Sequence, residues 1–157
     1  MPVSNSATLH HTCILVNDIE LSAAKLAKTL SVTWNFWTIT PEHSFVNGEP
    51  SPFSFRVAFA QVGTGNLELI SPNSGKSVYN EHLQLKGEGY HHSCFAYAEL
   101  ESMQSAKEEL QEQGYKMIQH GYTEGVFEFC YFKLTEPSML LELLYLKELP
   151  PPERTIG

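Results

Sequence analysis

Leu9-His10-His11-Thr12-Cys13 returns 81 positions later as Tyr90-His91-His92-Ser93-Cys94, with the paired histidines and the cysteine in the same order. A repeat at a fixed offset sets the architecture before any single element is argued, because each copy is one unit of the same supersecondary design. After the first copy, Ile19, Ala23, Leu26 and Leu30 recur at steps of four, three and four, which predicts an amphipathic helix over 17–30. Asn17, with Glu20 three residues on, predicts a capping-box-like start. After the second copy, Leu100, Met103, Ala106 and Leu110 mark another helix, with Gly114 placed as its terminator.

Downstream of each helix the period changes to two and turn residues appear, the pattern of strands. Three fit in each half: 32–39, 53–62 and 67–70, then 116–120, 126–134 and 139–146. The expected architecture is α+β, two tandem βαβββ modules forming a cup-shaped, barrel-like mixed sheet with helices outside. Module one covers about 9–70, a Pro/Gly-containing linker 71–89, module two about 90–146, and an extended tail 147–157.

Neighbouring strand residues point to opposite faces, so His11 shares a face with Cys13 and Leu15, and His92 shares one with Cys94. Alternation alone leaves open which histidine of each pair points inward. Glu68 faces away from Leu67 and Leu69, and Glu142 away from Leu141 and Leu143, so each half offers one His and one Glu. A carboxylate inside Met139-Leu-Leu-Glu-Leu-Leu-Tyr-Leu146 is costly to bury as an unpaired ion and needs a cation, a proton or water. A metal held by His11, Glu68, His92 and Glu142 satisfies both carboxylates at once. Cys13 and Cys94 read as small buried thiols beside these ligands, and His43, His82 and His120 as solvated residues of loop-like segments.

The 157 residues suit one domain, and 42% hydrophobic with 11% aromatic residues supplies a packed core. Eighteen acidic against ten basic side chains give a net charge of -8, with the basic ones scattered, so no footprint for nucleic acid or an anionic membrane is visible. The first residues lack the basic start and apolar run of a secretory signal, and the best apolar stretch, 139–146, is far short of a bilayer span. Three cysteines without a C-x-x-C pair suit reduced thiols, and the expected location is cytoplasmic. Exposed sheet edges make a homodimer an expectation as well.

These residues resemble the vicinal oxygen chelate superfamily over nearly the whole chain. The resemblance is carried by His11 with Asp18, by Glu68-Leu69-Ile70-Ser71-Pro72, by Gly89-Tyr90-His91-His92 and by Leu141-Glu142-Leu143, four short motifs in order. The similarity is greatest to the branch of methylmalonyl-CoA epimerase, with glyoxalase I close by, through Ser77-Val78-Tyr79-Asn80-Glu81 and Gly87-Glu88-Gly89. It implies one divalent metal ion, Co, Ni, Mn or Zn, on His11, Glu68, His92 and Glu142, with two open positions for neighbouring substrate oxygens. It also implies Glu142 as both ligand and proton-transfer base, acting on a small-molecule substrate, an acyl thioester or similar dicarbonyl.

An epimerase needs a second base, which the family supplies from a loop shortly before the strand of the second ligand. Here Ser51-Pro52 occupy that place and Glu49 comes a few positions early. Three activities therefore stay open: an isomerase or epimerase, a glyoxalase I-type lyase, and a non-catalytic small-molecule binding protein of the same fold. Substrate contacts are expected from Arg56, Trp37 and Tyr131, with Trp34, Phe36 and Tyr122 as further aromatic candidates; Arg56, between Phe55 and Val57, suits either an anionic substrate group or a structural ion pair.

Overall fold

Strands β1 (Ala7–Leu15) and β7 (Gly89–Tyr97), which carry the two histidine pairs, lie side by side and antiparallel at the centre of one mixed sheet. The structure, a computed structural model, describes residues 6–157. Outward from β1 come β6 (Gly65–Gly75, parallel to β1), β5 (Phe53–Val62) and β2 (Trp34–Ile39). Outward from β7 come β10 (Ser138–Leu146, parallel to β7), β9 (Phe127–Thr135) and β8 (Lys116–Thr123). Each half has the βαβββ connection that the repeat predicts, and the α+β sheet of eleven strands curves without closing into a barrel.

The alternation of side chains divides the apolar residues between two faces. On the outer face, α1 (Ile19–Leu30) buries Ile19, Ala23 and Ala27 against Trp34, Phe36, Ala58, Ala60 and Leu69. Ala58 and Ala60 are the small residues that let the helix approach. Helix α3 (Leu100–Glu112) repeats the arrangement with Met103, Ala106 and Leu110 against Cys130, Phe132, Leu141 and Leu143. Trp34 and Phe132 are wholly buried, and truncation of either to alanine is worth about 3–5 kcal/mol. The inner face holds a separate core that includes Cys13, Leu15, Phe55, Val57, Ile70, Phe129 and Tyr131, and this face forms the cup.

Several details depart from the sequence reading. Helix α1 is capped by Asp18, whose side chain accepts from the Leu21 N–H at 3.0 Å, and the Asn17–Glu20 box does not form. Asn17 N–H donates to Glu88 instead, and Glu20 is drawn to Arg56 and Arg154. The stretch 71–89 is structured: β6 continues to Gly75, and α2 (Val78–Lys86) follows from a Ser77–Asn80 capping box. Val78 and Tyr79 of α2 join the cup-side core, so the helix covers part of the cup.

The Pro/Gly stretch of module one forms strands β3 (His43–Val46) and β4 (Glu49–Pro50), and β3 pairs with β8 of module two. The tail returns as β11 (Arg154–Ile156) on β2. Both outer edges of the sheet are thus short strands, which cover part of the longer strands β2 and β8 inside them. No helix of the described residues is long and apolar enough to cross a membrane.

Candidate metal centre in the cup

Parallel pairing sets Glu68 beside Cys13 on β6 and β1, and Glu142 beside Cys94 on β10 and β7. The β1–β7 pairing then sets His11 opposite Cys94 and Cys13 opposite His92. Four adjacent strands therefore deliver His11, Glu68, His92 and Glu142 to one place on the cup face, all buried. One ligand atom from each lies within 4.8 Å of the others. His11 Nε2 is 3.0 Å from Glu142 Oε2, 3.3 Å from Glu68 Oε1 and 3.2 Å from His92 Nε2. His92 Nε2 is 2.8 Å from Glu142 Oε2 and 3.5 Å from Glu68 Oε1.

Atoms bound to one ion at about 2.0–2.2 Å stand about 3 Å apart around it, which is the spacing found here. Glu68 Oε1 is buried with no hydrogen-bond partner, a charged acceptor aimed into the cluster. Two imidazoles and two carboxylates form a nitrogen–oxygen donor set that fits a divalent ion.

The geometry settles which histidine of each pair faces inward and gives the other a place. His10 Nδ1 lies 2.8 Å from His11 Nδ1, and His91 Nδ1 lies 2.8 Å from His92 Nδ1, so the same contact occurs in both halves. When the Nε2 atoms of His11 and His92 act as ligands, their Nδ1–H groups donate to His10 and His91, fixing tautomer and ring orientation. Burial first, then the neighbouring ligand histidine, holds both His10 and His91 below the ordinary histidine range, His91 at about 2, which keeps them neutral acceptors. This supporting pair was not identified from the sequence, although the doubled histidines were its signal.

Without an ion, burial pushes His11 down, but the nearby Glu68 charge and the hydrogen bond to Glu142 outweigh it and leave His11 at about 10. His92 is also raised, its burial outweighed by Glu142 and Glu68. Burial pushes both carboxyls up, and the two histidines more than offset it, holding Glu68 and Glu142 below the usual carboxylate range. Burial and the adjacent carboxylates push the Cys13 and Cys94 thiols well up, so they stay protonated beside the ligands, free and buried as expected.

Tyr131 stands next to the cluster, its ring 4.8 Å from that of His92 and its hydroxyl 2.7 Å from that of Tyr79. Trp37 lies on the cup side against Phe59 and donates its indole N–H to the Pro150 carbonyl at 2.7 Å. Arg56 is not brought to the site. It projects from the helix-covered face of β5, pairs with Glu20 at 3.1 Å and lies over the Phe36 ring, so the structural ion pair is what forms.

Trp34 and Phe36 pack in the α1 core. Tyr122 stacks on exposed His43, and His120 is half-buried in β8 between Tyr122 and Phe45, 3.5 Å from Glu128. His120 is thus not a solvated loop residue: a strand places it against module two. His82, in α2, packs its ring edge on His91. Buried Gln119, not singled out in the sequence, accepts the Val78 N–H at 2.9 Å and ties α2 to β8.

Residues 10–132 match the family model of the glyoxalase/bleomycin resistance protein/dioxygenase superfamily, and the chain belongs to that superfamily. No curated protein matches it. Among solved structures, it is similar to a hypothetical protein from Bacillus halodurans C-125, at 22% identity and a TM-score of 0.63 over 93% of this chain and 99% of that one. It is also similar to methylmalonyl-CoA epimerase from Mycobacterium tuberculosis, at 18% identity and a TM-score of 0.64 over 94% of each chain. A variant of the Streptomyces coelicolor epimerase in complex with 2-nitronate-propionyl-CoA matches at 18% identity and a TM-score of 0.66, over 94% of this chain and all of that one. At these identities the likeness is one of fold.

Proposed function

We propose that this protein is a divalent-metal-dependent enzyme that chelates neighbouring oxygens of a small substrate and moves its α-proton. The observation that carries the reading is the convergence of His11, Glu68, His92 and Glu142, two from each half, on one buried point. A divalent ion there, Co, Ni, Mn or Zn, supplies charge that stabilises the enolate formed when a chelated carbonyl compound loses its α-proton. His11 and His92 hold the site from the two central strands, and His10 and His91 keep their rings oriented. Glu142 is the proposed base, since a carboxylate that both belongs to the cluster and lines the cavity reaches ligand set and substrate. Tyr131 and Trp37 form part of the surround, and the apolar walls exclude water from the developing charge.

Epimerisation of an acyl thioester such as methylmalonyl-CoA is the first reaction to try, supported by the fold shared with epimerases. Glu49 does not favour it: it lies exposed in the β3–β4 hairpin. Among the described residues, Glu68 is the other carboxylate lining this cavity, so inversion at carbon would run through the Glu68–Glu142 pair. A transfer on one face by Glu142 alone, as in a glyoxalase I-type lyase, needs no second base, and the position of Glu49 favours that second reading.

The test is elemental analysis of protein reloaded with each of the four metals, beside a His11→Ala/Glu142→Ala double variant. About one ion per chain in the parent and none in the variant is expected; no ion in either overturns the catalytic reading and leaves a binding protein. Deuterium exchange into methylmalonyl-CoA, against turnover of a hemithioacetal, then separates epimerase from lyase.

A further inference from the structure

The cavity over the ligand cluster has a composition that the proposed chemistry does not require. Its walls are Phe55, Phe59, Phe127, Phe129, Leu144 and Leu146, with other aliphatic residues between them, and among the described residues its ionisable groups are Glu68, Glu142 and Tyr131. The Tyr131 hydroxyl is already paired with Tyr79 inside the core. Among the described residues, no lysine or arginine lines this cavity. Arg56, on the same strand as Phe55 and Phe59, faces the other way and is neutralised by Glu20. Lys86 and Lys133 belong to a different groove, between α2 and the β9–β10 turn, whose floor includes His91 and none of the four ligands.

The charge count of the ligand set points the same way. Two ionised carboxylates and two neutral imidazoles balance a divalent ion to zero, so the site holds no surplus positive charge for an anion beyond the chelating atoms. A charged group placed against these walls loses its water and gains no partner, whereas an apolar group gains by burial.

We infer that the body of the substrate lying inside the cup, beyond its chelating oxygens, is uncharged and apolar; the inference rests on the metal-site reading above. The cup then selects a hydroxycarbonyl or dicarbonyl compound by its apolar side group, with charge tolerated at the chelating oxygens and outside the mouth.

Hydroxamic acids chelate through two neighbouring oxygens and carry interchangeable bodies, so they isolate this property. Cobalt-loaded protein is titrated with acetohydroxamic, benzohydroxamic and 4-carboxybenzohydroxamic acids, following the cobalt absorption spectrum and the heat of binding. Benzohydroxamate is expected to bind at least about tenfold tighter than either of the others. A Leu146→Lys variant, with a cation at the end of β10, is expected to recover most of the affinity for the carboxylated compound. Equal or tighter binding of 4-carboxybenzohydroxamate by the parent overturns the inference, and so does a metal-loaded protein that binds none of the three. Failure to take up cobalt at all overturns the functional reading instead, so the two failures are distinguishable.

Discussion

The two modules bring the same residues to the centre and surround them differently. In module one, His10 is only half-buried beside His11, and Glu68 Oε1 has no hydrogen-bond partner. In module two, His91 is buried beneath His82 and against Tyr79 and Tyr131, and Glu142 Oε2 lies within hydrogen-bond distance of both ligand histidines. Helix α2 makes the difference: it rises from the segment between the modules and packs over the second histidine pair. The internal repeat thus sets the four converging side chains by symmetry, while the segment outside the repeat decides which histidine pair is covered and which is more exposed.

The largest expected effect tests whether the carboxylates are equivalent. Glu142→Gln should lower α-proton exchange at least about a hundredfold with a smaller change in metal content, the loss typical of a general base. Glu68→Gln should act chiefly through weaker metal binding, so excess metal restores much of its rate. Full activity in Glu142→Gln removes Glu142 from proton transfer and makes the two modules interchangeable.

The supporting histidines sharpen the comparison. His91→Ala should weaken metal affinity by about 10–100-fold, read by competition with a chromophoric chelator, and His10→Ala by less, because His10 is more exposed. Equal effects would mean that the covering by α2 contributes nothing to the site.

The titration of the cluster supplies a third test. His11 is held at about 10 in the metal-free protein, so at pH 7 it is protonated and must lose that proton to become a ligand. Metal uptake should release at least about one proton per ion, measured as the dependence of binding heat on buffer ionisation, and affinity should rise with pH. The sign for stability is opposite. The contribution of the raised His11 is fully present below its ordinary 6.5 and is lost as pH rises through about 10. That of the depressed Glu142 is present above its ordinary 4.5 and is lost as pH falls through its folded value.

The smallest effect is expected outside the cup. Arg56→Ala removes a partly exposed ion pair and should change stability by no more than about 1 kcal/mol in denaturant unfolding, with metal content unaltered. Loss of metal in that variant would make Arg56 part of the site after all.

The sequence by itself determined the duplicated βαβββ plan and pointed to the four side chains that meet in the cup, because the histidine pairs repeat at one offset and a carboxylate recurs amid apolar residues in each half. Those signals are local: a period of two or 3.6, and a charge where a charge is costly. Only the tertiary structure decided which histidine of each pair faces inward, since that depends on the pairing of β1 with β7 across the two modules. It alone turned Arg56 outward to Glu20 on α1, formed α2 over the second module, and laid β3 against β8. Each of these contacts joins segments far apart in the chain, where what a residue touches is set by the whole fold and leaves no periodic trace in the sequence.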